Sequence, residues 1–298
     1  MGESLPISVV IPHHNRPQLL EAAIASIRRQ TAPPAEIIVV DDCSLPVHRA
    51  ELSKYSRDSK DIRVIFLDKP GGAPGARNAG IEAAAQEWIA FLDDDDEWLP
   101  GKLERQWKTL REDESLSAVS SALIVVSDGR PDWTQISHTP PIVTLAAALE
   151  DNVAMMQSTL IRAADIRLLR GFDENLSPFE DWEFWIRFTA AGYRCFYDRE
   201  PQMILNRHRI QRVTAYWRNC LISRFKIIAK HRALFTREFG PGAVNRARSK
   251  AICRVGLERG RITGRALYAC GCIFGGDIPR LMTLVTTGKM PIIPYSAS

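Results

Sequence analysis

The chain has 298 residues, 45% of them hydrophobic and 25% charged, and a net charge of +4. That length suits one large α/β domain with additions, or two domains, and the composition excludes disordered, low-complexity and repeat architectures. The charge is uneven: between Ile204 and Arg265 sixteen Lys or Arg face only Glu238 and Glu258, a local +14 against −10 for the remainder. Such a basic stretch serves an anionic acceptor, a phosphorylated ligand or an anionic membrane surface, or is simply a solvated face; nothing in it indicates nucleic acid.

The N-terminus Met1-Gly-Glu-Ser-Leu-Pro6 has neither a basic n-region nor an apolar h-region, so the expected location is the cytoplasm. Six cysteines are scattered without C-x-x-C spacing, which favours reduced thiols, and Cys270-Gly-Cys272 alone defines no zinc geometry.

In chain order, Ile7–Ile11 is a β-branched run of strand length that ends at Pro12 and His13-His14-Asn15-Arg16. Asn15 is placed to cap a helix that has Pro17 in its first turn and Leu19, Leu20, Ala23, Ile24 and Ile27 on one face. Glu36–Val40 forms a second buried strand, ending in Asp41-Asp42-Cys43-Ser44. A polar helix over 47–57 leads to a third strand at Ile62–Leu67. Gly71-Gly-Ala-Pro-Gly-Ala-Arg-Asn-Ala-Gly80 is a glycine-rich turn opening a helix with Arg77 on its first turn. That suits phosphate, but the spacing is neither a P-loop nor a dinucleotide fingerprint. Strands alternating with helices predict a largely parallel, doubly wound sheet, whose ligands bind at the carboxyl ends of the strands.

The fourth strand, Trp88–Leu92, runs straight into Asp93-Asp94-Asp95-Asp96-Glu97. Like charges this close stay ionised together only when something positive neutralises them. In extended backbone Asp93 and Asp95 point the same way, toward one hard cation such as Mg²⁺ or Mn²⁺, and Asp94 faces elsewhere, toward a hydroxyl. A solvated acidic turn capping the next helix is the equal alternative at this stage. Beyond it the pattern predicts a helix to about Glu112, a strand over 116–126, a loop over 131–141, a short helix over 144–150 and a strand over 156–161. A helix opened by Glu180-Asp181 and two short strands at 193–197 and 202–205 follow. After Arg212 the pattern is helical. Ala266–Thr287 is apolar but interrupted by Asp277, Pro279 and Arg280, so no spanning helix is expected. An interfacial helix pair and a soluble packing subdomain both remain open.

Five ordered motifs, Val10-Ile-Pro-His-His-Asn-Arg-Pro17, Val39-Val-Asp-Asp-Cys-Ser44, Pro74-Gly-Ala-Arg-Asn-Ala-Gly80, Phe91-Leu-Asp-Asp-Asp-Asp96 and Glu180-Asp181, together resemble the family 2 inverting glycosyltransferases of GT-A fold. The resemblance covers about Ile7 to Arg209. It implies a catalytic domain over 1–211 that binds a nucleotide-sugar donor, most simply a UDP-sugar, and a basic helical region over 212–298 with an acceptor, packing or membrane-surface role. By resemblance, Pro12, Asn15, Arg16, Asp42, Arg77 and Asp94 contact the nucleotide. Asp42 lies at the base, Arg77 near base and diphosphate, and Asp94 near the ribose. Asp95, with Asp93, holds Mn²⁺ or Mg²⁺, and His208 matches a late histidine that reaches the metal or diphosphate in some members. Asp181 corresponds to the general base. The implied acceptor is a hydroxyl of a glycan or lipid-linked molecule, met by a cytoplasmic protein with peripheral contact to anionic membrane.

Two departures stand out. Cys43 follows the acids where glycine or asparagine is commoner, and the Gln-x-x-Arg-Trp segment of processive synthases is missing, which favours single additions. The rival readings are a nucleotide-sugar-binding protein without turnover, which need not keep Asp181, and a nucleotidyltransferase, whose lysine-bearing glycine-rich start is lacking after Ile7.

Overall fold

The computed structural model describes residues 4–127, 130–135, 141–207, 217–259 and 262–275. Contacts divide the chain into two compact units, Met1–Asn175 with Glu180–Ile210, and Leu176–Phe179 with Gln211–Ser298.

The first unit is built on one sheet. Its opening half alternates β1 (Leu5–His13), α1 (Pro17–Arg28), β2 (Pro34–Asp41), α2 (Pro46–Asp58), β3 (Ile62–Phe66), α3 (Gly72–Ala83) and β4 (Trp88–Phe91). The strands lie in the order β3-β2-β1-β4, all parallel. Continuous burial along Ile7–Ile11, Ile37–Val40 and Trp88–Leu92 follows from helices covering both faces, so these runs read apolar throughout. The order reverses at β1 and β4, and the acidic run leaves the sheet there, at the crevice where such folds take ligands.

The remaining strands make the sheet mixed. They are β5 (Glu97–Trp98), β6 (Ala118–Ser127), β7 (Arg130–Gln135), β8 (Leu160–Arg162) and β9 (Cys195–Arg207). β8 pairs antiparallel with β4 and β6, β6 runs parallel to β9, and β5 is antiparallel to β9. β7 occupies part of the expected 131–141 loop, because Trp133 and Thr134 pair with Val125 and Ile124. The strand expected over 156–161 starts later, after a 3-10 turn at Met156–Ser158, and the two strands expected over 193–205 are one. Register shifts in the β6–β9 ladder around Ser121 and Ala122 let β9 continue past Pro201.

Among the helices, α4 (Lys102–Glu112) buries Leu103, Gln106 and Leu110 on one face, and α5 (Leu145–Glu150) is capped by Thr144 Oγ1. α6 (Ala163–Leu168) leads to α7 (Glu180–Ala190), which buries Phe184, Trp185 and Phe188 in an aromatic cluster with Phe172. Helix α3 lies close on β1: a Cβ at Gly80 would stand 2.3 Å from Val10 Cγ1, so only glycine fits that crossing.

The second unit contains α8 (Trp217–Lys230), α9 (Arg232–Phe239), α10 (Ala243–Arg259) and α11 (Ile262–Gly275). Cys253, Tyr268 and Cys272 form its apolar centre, with Leu257 and Ala269 against it. Cys272 is buried and Cys270 exposed, so the C-x-C residues face opposite ways on α11. Among the described residues no helix is long and apolar enough to cross a membrane.

Candidate active site

Four chain segments converge on the crevice: the β1–α1 turn, the β2 end, the first turns of α3, and the acidic run after β4. Pro12 is buried in β1, paired in register with Val40. Asn15 does not cap α1. It sits at φ 56°, its Oδ1 accepts from Leu45 N at 2.8 Å, and its own N–H donates to Ser44 Oγ at 2.8 Å, so it joins the β1 and β2 turns. The left-handed backbone, which asparagine tolerates, aims its side chain away from the helix start.

Asp42 takes the N–H groups of the glycine turn. Its Oδ1 accepts from Gly71 N at 2.6 Å and its Oδ2 from Gly72 N at 2.9 Å. A carboxylate therefore already sits on the first donors of α3, where the helix dipole favours negative charge.

Asp93, Asp94 and Asp95 each meet a basic side chain. Arg16 donates to Asp95 Oδ2 at 2.8 Å and to Asp94 Oδ1, and Arg77 donates to Asp93 Oδ1 at 2.8 Å. Asp94 is fully buried, and its second oxygen meets His13 Nδ1 at 2.8 Å. Both its oxygens are thus engaged within the protein, so a ribose contact there requires Arg16 or His13 to give way. Asp96 is also buried, accepting from Asn206 N at 2.9 Å and Gln157 Nε2 at 3.4 Å, which ties the acidic turn to β9 and the 3-10 turn. Burial, reinforced by Asp93 and Asp95, pushes its pKa well above the usual carboxylate range. For the two arginines burial opposes the charge, but the carboxylates outweigh it and raise their pKa, so both stay cationic.

One oxygen from each of Asp93, Asp95 and Asp96 lies within 4.8 Å of the others. Three hard oxygen donors at that spacing suit Mg²⁺ or Mn²⁺ rather than a thiophilic metal, so these residues fit a divalent cation. The sequence marks Asp93 and Asp95 as candidates for that role and does not mark Asp96. His208 lies outside the described residues.

Arg77 joins this cluster to α7. Its second nitrogen donates to Glu180 Oε1 at 2.7 Å, so one buried guanidinium spans Asp93 and the residue beside Asp181. Asn78 next to it docks α3 on the 171–172 backbone, donating to Phe172 O at 2.9 Å and accepting from Phe172 N at 2.8 Å. Gly171, at φ 59°, passes so close that a Cβ would lie 2.3 Å from Asn78 Oδ1.

Asp181 opens α7. Its Oδ1 accepts from Trp182 N at 2.8 Å and its Oδ2 from Asn152 Nδ2 at 2.6 Å. Burial, with Glu180 beside it, pushes Asp181 up to about 7, against the opposing pull of Arg77, Asn152 and Trp182 N–H. A carboxyl poised near neutrality exchanges a proton readily at working pH. Asn152 and Glu180 were not marked as site residues by the sequence. Glu180 stood next to the marked aspartate, whereas Asn152 lies in a stretch with no pattern of its own.

The model for the family described as Glycosyl transferase family 2 matches residues 8–172. The chain is 28% identical over 190 residues to the putative teichuronic acid biosynthesis glycosyltransferase TuaG of Bacillus subtilis, spanning 64% of this chain and 74% of that protein. In fold it resembles the crystal structure of S. aureus TarS 1-349 in complex with UDP-GlcNAc, with a TM-score of 0.63 at 17% identity, over 96% of this chain and 93% of that one. It also resembles the mannosyltransferase PcManGT from Pyrobaculum calidifontis in complex with GDP-Man and Mn²⁺, with a TM-score of 0.57 at 17% identity, over 96% and 86% of the two chains. These two structural likenesses speak for the shared α/β fold, GT-A, alone.

Proposed function

The chain belongs to glycosyl transferase family 2 and is a glycosyltransferase, and from that premise we propose that it moves a sugar, with inversion, from a UDP-linked donor to a hydroxyl of a glycan or lipid-linked acceptor. Polysaccharide assembly is the setting that the similarity to TuaG supports. The observation that carries the reading is the Arg77 guanidinium spanning Asp93 and Glu180, which sets a cation-fitting acidic cluster beside a carboxyl poised near neutral pH.

The chemistry divides between these two groups. Asp181, in its ionised form, takes the proton of the acceptor hydroxyl. The freed oxygen bonds to the anomeric carbon as the bond to the diphosphate breaks, and the diphosphate leaves with the electron pair on the opposite face of the sugar. Asp95 and Asp93, with Asp96 close by, would hold Mn²⁺ or Mg²⁺. When bound, the cation supplies positive charge to the departing diphosphate. Arg16 and Arg77 stand over the same acids, placed to turn toward donor oxygens once those acids have another partner. Asp42, seated on the α3 N-terminus, is the base-recognition candidate. Residues 1–211 carry the catalysis in this reading, and 212–298 an acceptor, packing or membrane-surface role.

A thermal-shift panel of nucleotide sugars with and without Mn²⁺ tests it. A UDP-sugar at ~100 times its dissociation constant should add roughly 2.7 kcal/mol of stability, and chelation with EDTA should abolish the gain. Equal shifts with every nucleotide, or release of pyrophosphate rather than UDP on turnover, would sink the reading.

A further inference from the structure

The stretch 148–157 is fastened by three indole N–H groups. Trp182 Nε1 donates to Ala148 O at 2.6 Å, Trp185 Nε1 to Ala154 O at 2.8 Å, and Trp98 Nε1 to Gln157 O at 2.9 Å. Two of these donors belong to α7, the helix whose first turn carries Asp181, so Asn152 is held between two bonds to the element carrying the acid. The amide is held more closely than a chance contact requires. One of its hydrogens goes to Asp181 Oδ2 at 2.6 Å, and its nitrogen also leans on Met155 Sδ at 3.8 Å.

The other end of the amide is the unexplained group. Asn152 Oδ1 is shut off from solvent and has no hydrogen-bond partner among the described residues. A buried carbonyl left in that state is destabilising, and such a group in a folded protein calls for a reason.

We propose that Asn152 is the positioning residue of the base and serves both of its ionisation states. Before transfer its N–H₂ holds the Asp181 carboxylate. After the acceptor's proton has moved to Asp181, the amide turns over and Oδ1 accepts from the new O–H. An amide is suited to this because it presents donor and acceptor on one planar group, and half a turn exchanges them. The free Oδ1 is then the second position of a two-way partner. Among the largest influences on Asp181, the charged ones are Glu180 on its own helix, which raises its pKa, and Arg77 from α3, which lowers it; the 148–157 stretch, which also carries Glu150 and Asp151, contributes the neutral amide.

This inference rests on Asp181 as the base and is tested apart from it. Asp181 is titrated in the ligand-free protein through its carboxyl carbon by NMR, assigned by its loss in Asp181→Asn. In Asn152→Leu, close in size but unable to hydrogen-bond, the carboxylate loses a donor. Because the bond to the charged carboxylate is the stronger of the two that Asn152 makes, the titration should move up by about one pH unit. Asn152→Ala gives the same readout should the Leu variant not fold. An unmoved or lowered titration in a folded variant overturns the role of Asn152. Turnover retained by Asp181→Asn overturns the base instead, whatever the titration does.

Discussion

The acidic cluster after β4 and Asp181 at the start of α7 are made of the same side chain and are treated in opposite ways. Asp93 and Asp95 each meet a guanidinium, from Arg77 and Arg16. Asp181 is given a backbone N–H and a neutral amide, and Arg77 reaches its neighbour Glu180 rather than Asp181 itself. A guanidinium paired with a carboxylate can give its place to another cation. Burial beside a like charge holds a carboxyl near the point where a proton comes and goes. Environment, not residue type, sets the two kinds of carboxyl apart.

The sharpest way to break this comparison is Asp181→Asn. It should lower kcat by roughly 10²–10⁴-fold, the range of a lost general base, while UDP and Mn²⁺ still bind by calorimetry. Asp95→Ala should do the complementary damage. Turnover falls on the order of 10²–10³-fold, as for loss of one electrostatic contributor, and the Mn²⁺ dependence of nucleotide binding disappears with it. If both variants lose binding alike, the two sites are not separate.

Acidification addresses Asp181 directly. In the proposed role Asp181 works only when ionised, so with a pKa of about 7 in the ligand-free protein kcat/KM should fall about tenfold per pH unit below that value, reaching roughly one hundredth of its plateau at pH 5. Glu180→Gln removes the like charge and frees Arg77 to act on Asp181, both of which favour the carboxylate, so the acid limb of the profile should move to lower pH. A limb that moves up, or stays, would separate Glu180 from the base. Gly80→Ala should touch chemistry least: the new Cβ meets Val10 Cγ1 at 2.3 Å, and the overpacking costs about 1–3 kcal/mol, read from urea unfolding.

Much of this was legible because local chemistry and fold agree in the first hundred residues. β-branched runs ending in acids become parallel strands whose carboxyl ends meet at one crevice, and the motifs lie where those strands stop. Beyond β4 the agreement weakens. β7 hid in a proline-bearing segment that forms a strand only because Val125 and Ile124 wait to pair with it, a long-range cause that no local pattern records. Asn15 was read from its position before Pro17 as a cap, yet the β2 turn competes for its oxygen and wins. Asp94 was read from strand alternation as facing away from Asp93 and Asp95, toward a hydroxyl; the run leaves β4 as a turn, and there His13 and Arg16 enclose Asp94. Asn152 had no signal, since its partner lies 29 residues away and its significance comes from what its oxygen lacks.

The three indoles fastened to 148–157 also give the protein an intrinsic optical gauge. Indole emission depends on what the ring N–H is bonded to, and Trp98, Trp182 and Trp185 each spend theirs on a carbonyl of the one stretch that carries Asn152. Any ligand that displaces that stretch must loosen at least one of those bonds. The rearrangement should therefore register as a change in tryptophan fluorescence before any product has formed, without a label being added.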